Sequence, residues 1–328
     1  MAVFWDGFFP FDHGTLYPGP RTRINFCLIR LRAVQNIQQF FGVSSMRWEG
    51  RRESDNVEDR RRSVAGPVII GGGLGAILMA ILIGALGGNP QEVLQQAAPQ
   101  AAPGQAEAPL DPEEERRGQF AKVVLADTED VWNELFAKQG LKYREPTLVL
   151  FSGQVSSACG MAEAASGPFY CPADSKLYLD TTFFKQLDKQ LGAPGDLACA
   201  YVIAHEVGHH IQNLMGTTTK MEQARRQMSA AEYNQLSVRL ELQADFLAGC
   251  VLHHAQRTKD IIEPGDVEEA LRAATAIGDD TLQKRGGRIV PESFTHGTSD
   301  QRLKWFRMGL ASGDLAEGDT FAIPASQL

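Results

Sequence analysis

Two histidines and a glutamate stand together at His205-Glu206-Val207-Gly208-His209. On an α-helix, positions i and i+4 share a face, so both imidazoles can point at one ion. Glu206 is offset by one residue, and its carboxylate can reach a water held on that ion. This is the H-E-x-x-H arrangement, in which the glutamate serves as general base. Zinc used in catalysis takes three protein ligands and keeps a fourth position for water. A third ligand six residues after His209 would be a histidine with a glycine before it, but the positions in question hold Gln212 and Met215. The remaining route takes a glutamate from a following helix. Glu241 opens Glu241-Leu242-Gln243-Ala244-Asp245, 32 residues beyond His209, which leaves room for a turn and an antiparallel approach. Glu241 is therefore the expected third ligand. Asp245 lies one turn later and can accept the free N–H of a ligand histidine, a contact that orients the ring and raises its basicity.

The chemistry such a set would run is hydrolysis. A zinc ion there would lower the pKa of its water to ~7 and polarise a carbonyl. Glu206 would take the water's proton and pass it to the leaving amine. A developing oxyanion needs a further donor. His296, in a polar loop ahead of a helix cap, is the candidate, with Tyr178 next. His210, His253 and His254 have a helical phase that points away from the site, and His13 lies outside the domain.

The elements that must position these groups are legible in outline. Residues 113–139 are helical in pattern, with a new cap expected at Thr128. PTLVLF (146–151) reads as a short buried strand, 152–174 as loop, and SKLYLD (175–180) as a second strand. SKLYLD could offer an edge on which a peptide adds as a further strand. The H-E-x-x-H helix starts at Asp196, a good N-cap, and stops at Gly216. Ser229 and Glu232 form a capping box for a helix reaching about Gln256. A third helix covers 265–277, residues 278–298 are loop-like, and Ser299 caps a last helix to about Ala311.

Upstream of residue 113 the chain changes character. Residues 1–45 hold nine of the 27 aromatics and show no helical or strand period. Met46-Arg47-Trp48-Glu49-Gly50 has the look of a conventional start, which makes 1–45 an over-extended or disordered N-terminal extension. Residues 64–88 contain no charge, and ~20 apolar residues suffice for a membrane-spanning helix. The run is too long for a signal-peptide core of ~7–15 residues, so an uncleaved anchor is expected. Residues 46–63 carry six arginines, whereas the next basic residue beyond the apolar run is Arg116. The positive-inside rule then places a cytoplasmic charged segment at 46–63 and the C-terminal bulk outside. Gly71 and Gly75, with Gly84 and Gly88, fit small-xxx-small packing and a homo-oligomer. Residues 89–112, rich in Ala, Pro and Gln, read as a linker.

The 328 residues are 43% hydrophobic with a net charge of −8, which excludes whole-chain disorder and argues against a nucleic-acid partner. Five cysteines are too few for a disulfide scaffold.

From about Arg47 to Phe321 the chain resembles the bacterial neutral zinc metallopeptidase family with a single N-terminal membrane anchor. The resemblance rests on MRWEGRRESDNVEDRR, CGMAEAASGPFYCPADSKLYLD, AYVIAHEVGHHIQ, LELQADFLAG, AIGDD and SFTHGTSDQRLKWF. It implies an α+β, mainly helical, zincin-like domain with a small sheet over 113–328, preceded by one transmembrane helix. It also implies Zn²⁺ held by His205, His209 and Glu241 in a gluzincin-like set, with Glu206 as catalytic acid/base. Many relatives carry Cys after the Asp of ELQAD and another near the C-terminus; this chain has Phe246 and Gly318 there. Cys159 and Cys171 remain and fit a bridge in an oxidising compartment, while a bridge between Cys199 and Cys250 stays open.

The expectation is a peptidase acting on protein or peptide substrates, anchored in a bacterial inner membrane by one span with its domain in the periplasm. Two alternatives stand beside it: a silent zinc-containing binding or scaffold module, and a zinc amidase acting on cell-wall peptide.

Overall fold

The computed structural model describes residues 46–62, 110–163, 167–285 and 287–328. The N-terminal extension, the apolar run 64–88 with its glycine pairs, and the linker up to residue 109 lie outside the described residues. Among the described residues no helix is long and apolar enough to cross a membrane.

The fold is α+β and mainly helical. A four-stranded sheet has the order β1 (Val57–Asp59), β2 (Thr147–Phe151), β6 (Lys176–Asp180), β5 (Phe169–Cys171). The first three strands are mutually parallel, and β5 runs antiparallel to β6. Side chains alternate across a strand. Leu148, Leu150, Leu177 and Leu179 accordingly face the main helical core, while Val149, Phe151 and Tyr178 pack with Cys171 on the other side. SKLYLD is thus an interior strand, and the edges of the sheet are β1 and β5. The stretch 152–174 is more than loop: a hairpin of β3 (Gln154–Ser157) and β4 (Gly160–Glu163) precedes β5. Its strands, four residues each, are too short to show a period in the sequence. Cys159 and Cys171 are paired and tie this hairpin to the edge strand.

Helix α1 (Pro112–Lys138) is continuous. Asp111 caps it by accepting from the Glu113 amide, and Glu113, Glu114 and Glu115 sit favourably in its positive first turn. Thr128 is no cap; it is buried inside the helix and its hydroxyl donates to the Leu125 carbonyl. After the short α2 (Phe183–Lys189) comes α3 (Asp196–Leu214), which carries the H-E-x-x-H residues. Its N-cap is Gly195, at a positive φ of 114°, and the Asp196 carboxylate instead accepts from Trp48 Nε1 at 3.0 Å. Gly216, left-handed at φ 77°, turns the chain into α4 (Thr217–Arg225). Helix α5 (Ala230–Lys259) has the capping box expected from Ser229 and Glu232, but runs one turn further than its sequence pattern suggested. Helix α6 (Asp266–Ala276) follows as expected. The segment 278–298 holds a short α7 (Asp279–Arg285) and a 3₁₀ turn at Pro291–Ser293. The last helix, α8 (Ser299–Ser312), is capped by Thr298 with Gln301 as its reciprocal partner, one residue before the expected cap.

Small residues set how closely the site helices approach. A Cβ on Gly208 would lie 3.1 Å from Ala244 Cα, so the bare backbone of α3 lets α5 lie against it. A Cβ on Gly249 would stand 2.6 Å from the Leu310 amide nitrogen, which fixes the α5–α8 crossing in the same way. Phe246 and Gly318 touch: a Cβ on Gly318 would fall 2.5 Å from Phe246 Cδ1. The ring fills the space that the glycine leaves. Cys199 and Cys250 are free thiols, so they form no second bridge.

The folded unit does not begin at residue 113. Met46 and Trp48 are buried in the main core, and Val57–Asp59 is a strand of its sheet. The six arginines of 46–62 answer carboxylates of the same unit. Arg47 pairs with Asp260 and Glu263, Arg51 with Asp127, and Arg52 with Glu129 and Asp130. Arg60 pairs with Glu58, Arg61 with Asp59, and Arg62 with Glu115.

Candidate metal centre

His205 and His209 lie one turn apart on α3, and α5 crosses beside them with Glu241. The His205 Nε2–Glu241 Oε2 distance is 3.2 Å and the His209 Nε2–Glu241 Oε1 distance is 3.5 Å. One donor atom from each of the three residues falls within 4.8 Å of the others.

What lies behind each ring explains why both Nε2 atoms face inward. His205 Nδ1 is 2.8 Å from Asp245 Oδ1, on the next turn of α5. His209 Nδ1 is 2.9 Å from Gln212 Oε1. With Nδ1 of each ring turned to its backing residue, the two Nε2 atoms are left to converge on Glu241. Two convergent imidazole nitrogens and a carboxylate, the chemistry of a divalent zinc site, fit the donor set of the structure.

Each backing residue is itself held. Asp245 is fully buried and accepts from Tyr201 Oη at 2.6 Å, Arg302 Nε at 2.8 Å and Arg302 Nη2 at 2.9 Å. Gln212 donates from Nε2 to the Leu240 carbonyl at 2.7 Å, which orients its oxygen toward His209. It also reaches Gln243, which donates to the Gly318 carbonyl.

The charges respond to burial and to one another. Burial opposes ionisation of Asp245, but the Arg302 guanidinium and His205 together outweigh it and bring the carboxyl down to about 2. Burial disfavours the His205 imidazolium, yet Asp245 raises the group to about 9 when only protons compete for it. Burial resists the charge of Glu241 too, and the two imidazoles overcome this and hold it well below the usual carboxylate range. Burial, the largest influence, raises Glu206 above an ordinary glutamate.

Glu206 lies beside the three donors in a cleft of about 450 Å³. Phe169 and Tyr170 of the edge strand form one wall, Phe183, Ile277 and Leu282 add apolar surface, and His296 and Arg302 line the far side. His296 thus comes to the cleft as expected. Its Nδ1 is 3.1 Å from Asp279 Oδ1, and Asp279 Oδ2 accepts the backbone amides of Thr295, His296 and Gly297. This grip leaves the His296 Nε2 side for a ligand. Tyr178 does not come to the cleft; it is buried against the other face of the sheet and its hydroxyl donates to Asp174. His210 turns away from the three donors, bonding the Arg144 carbonyl at 2.6 Å and Tyr170 Oη at 3.0 Å. His253 and His254 bond the carbonyls of Leu310 and Gly313, at a different place in the fold.

Sequence reasoning missed Tyr201, Gln212, Asp279 and Arg302. Tyr201 precedes His205 by one turn and Gln212 follows His209 by three residues, so helical spacing alone could have placed both. Asp279 and Arg302 lie within the family-like segments AIGDD and SFTHGTSDQRLKWF, but nothing in their spacing pairs them with His296 or Asp245.

Residues 46–321 match the family described as "Putative neutral zinc metallopeptidase". The chain belongs to that family. It is 47% identical over 286 residues to the uncharacterized protein YpfJ of Escherichia coli strain K12, covering 84% of this chain and 99% of the relative. It is 43% identical over 191 residues to the uncharacterized protein Rv2575 of Mycobacterium tuberculosis strain H37Rv, covering 55% of this chain and 64% of that one. No solved structure matches. The match begins at Met46, so the segment that carries Trp48 and the six arginines falls within the family's extent.

Replacing Gln212 by Ala is expected to lower zinc affinity by ~10–100-fold, the usual effect of removing a group behind a metal-ligating histidine. The His209 ring would lose its fixed tautomer while Glu241 and His205 stay in place. Competition with a chromogenic chelator measures this directly. An unchanged affinity would show that packing alone orients His209.

Proposed function

We propose that the protein is a zinc-dependent peptidase acting on protein or peptide chains. The observation that carries this reading is the meeting of His205, His209 and Glu241 beside Glu206, in a cleft one wall of which is the edge strand β5. A purely structural zinc site would close with four protein ligands and would not keep an unused carboxylate beside it. Zinc, when bound by these three residues, supplies Lewis acidity to a substrate carbonyl and acidifies water.

The chain's own groups supply the rest. Glu206 accepts the proton of the attacking water and returns it to the leaving nitrogen, a role suited to a carboxylate whose burial raises its proton affinity. His296, steadied by Asp279, donates from Nε2 to the developing oxyanion. The backbone of Phe169–Cys171 offers main-chain donors and acceptors to a substrate lying as an added strand. The Cys159–Cys171 pair behind that strand suits an oxidising compartment, which supports a domain outside the cytoplasm.

The test uses the full chain. One zinc per chain and hydrolysis of unfolded casein are expected, with activity lost on treatment with 1,10-phenanthroline and restored by adding zinc. Zinc retained without hydrolysis of casein would favour a silent module, or an amidase for cell-wall peptide. Absence of zinc from protein refolded in its presence would overturn the ligand set.

A further inference from the structure

We propose that residues 46–62 and the catalytic domain lie on the same side of any membrane the chain meets. The positive charge of 46–62 is the signal that would place this segment in the cytoplasm, opposite the domain. In the folded protein that charge has another explanation. Its six arginines are spent on ion pairs within the unit, five of them (Arg47, Arg51, Arg52, Arg61 and Arg62) reaching carboxylates beyond residue 110.

The attachment is also not electrostatic alone. Met46 is 2% exposed and Trp48 5%, with the indole edge-on to Phe120 at 5.4 Å between ring centroids. Strand β1 pairs in parallel with β2 from Val57↔Leu148 to Asp59↔Leu150. Backbone bonds continue this docking at both ends, from the Arg47 amide to the Ile261 carbonyl at 2.9 Å and from the Arg60 amide to the Leu150 carbonyl at 2.7 Å. Without the segment, β2 would show a bare hydrogen-bonding edge and the core would open at Trp48.

The two ends that the intervening chain must join are neighbours. Arg61, whose side chain is fully buried, donates to the Glu114 carbonyl, and Arg62 Nη2 is 3.7 Å from Glu115 Oε2. A Cβ on Gly118 would run into the Arg61 guanidinium, so the start of α1 is shaped to receive it. A single crossing between residues 62 and 111 would pull these partners to opposite faces of a bilayer, whose apolar core is ~30 Å thick.

The experiment labels the full chain in intact cells with a membrane-impermeant maleimide. Asp55→Cys and Lys284→Cys, both at exposed positions, are made singly in a background of Cys27→Ser and Cys199→Ser. Casein hydrolysis by each variant reports that it is folded. Both positions are expected to label from outside. Protection of both would uphold the shared side and overturn the extracytoplasmic placement instead. Labelling of Lys284→Cys with protection of Asp55→Cys, or the reverse, would overturn the proposal.

Discussion

Glu206→Gln is expected to keep one zinc per chain and to lower peptide hydrolysis by ~10²–10⁴-fold, the usual contribution of a positioned acid–base group. Glutamine matches glutamate in shape and lacks only the ability to take a proton. The three converging donor atoms belong to His205, His209 and Glu241, so the substitution leaves the metal's ligands untouched. Glu206 is offset by one residue on α3 from His205 and lines the cleft itself. Metal analysis and casein turnover on the same preparation separate the two effects. The paired control is Glu241→Gln, which is expected to lose zinc and activity together. Turnover by Glu206→Gln within a few-fold of the parent would remove Glu206 from the base role and direct attention to His296.

The cluster of His205, His209 and Glu241 that could hold a metal was legible because its determinants are local. The i, i+4 spacing of His205 and His209 needs only that the segment be a helix, and the capping box at Ser229 fixes the helix that brings Glu241 and Asp245. Two of the supporting groups, Arg302 and Asp279, were not legible, because they arrive from elements outside the two helices that carry the cluster. Arg302 reaches Asp245 over 57 residues, and Asp279 reaches His296 over 17. Strand order fails for the same reason. SKLYLD alternates well enough to read as a strand, but alternation does not say whether a strand is interior or at an edge; the edge strand Phe169–Cys171 is too short to show a period. The arginines of 46–62 were visible but ambiguous. A run of basic residues beside an apolar stretch gives the same sequence whether it meets lipid headgroups or carboxylates far along the chain, and only the fold shows Arg47 on Asp260 and Arg52 on Glu129.

Arg302→Met is expected to destabilise the domain by ~3–5 kcal/mol, the range for removing one partner of a buried ion pair. Asp245 is fully buried, and Arg302 supplies two of its hydrogen bonds and, among the described residues, the one permanent positive charge paired with it. Methionine fills much of the same space, so the loss would be electrostatic rather than a cavity. Left without the guanidinium, Asp245 would either ionise at high cost or take up a proton, and a protonated Asp245 no longer holds His205 Nδ1 as firmly. Zinc affinity should therefore fall along with stability, although Arg302 is not one of the three ligand residues. Two measurements check this: the shift in the urea midpoint at constant m-value, and zinc competition on the folded protein. The Asp245→Asn, Arg302→Met double variant sharpens the test, because asparagine needs no countercharge. It should unfold less readily than the sum of the two single losses implies, by ~1–3 kcal/mol of coupling. A cost below ~1 kcal/mol for Arg302→Met would mean that His205 alone neutralises Asp245, and additivity in the double variant would show that the two side chains act independently.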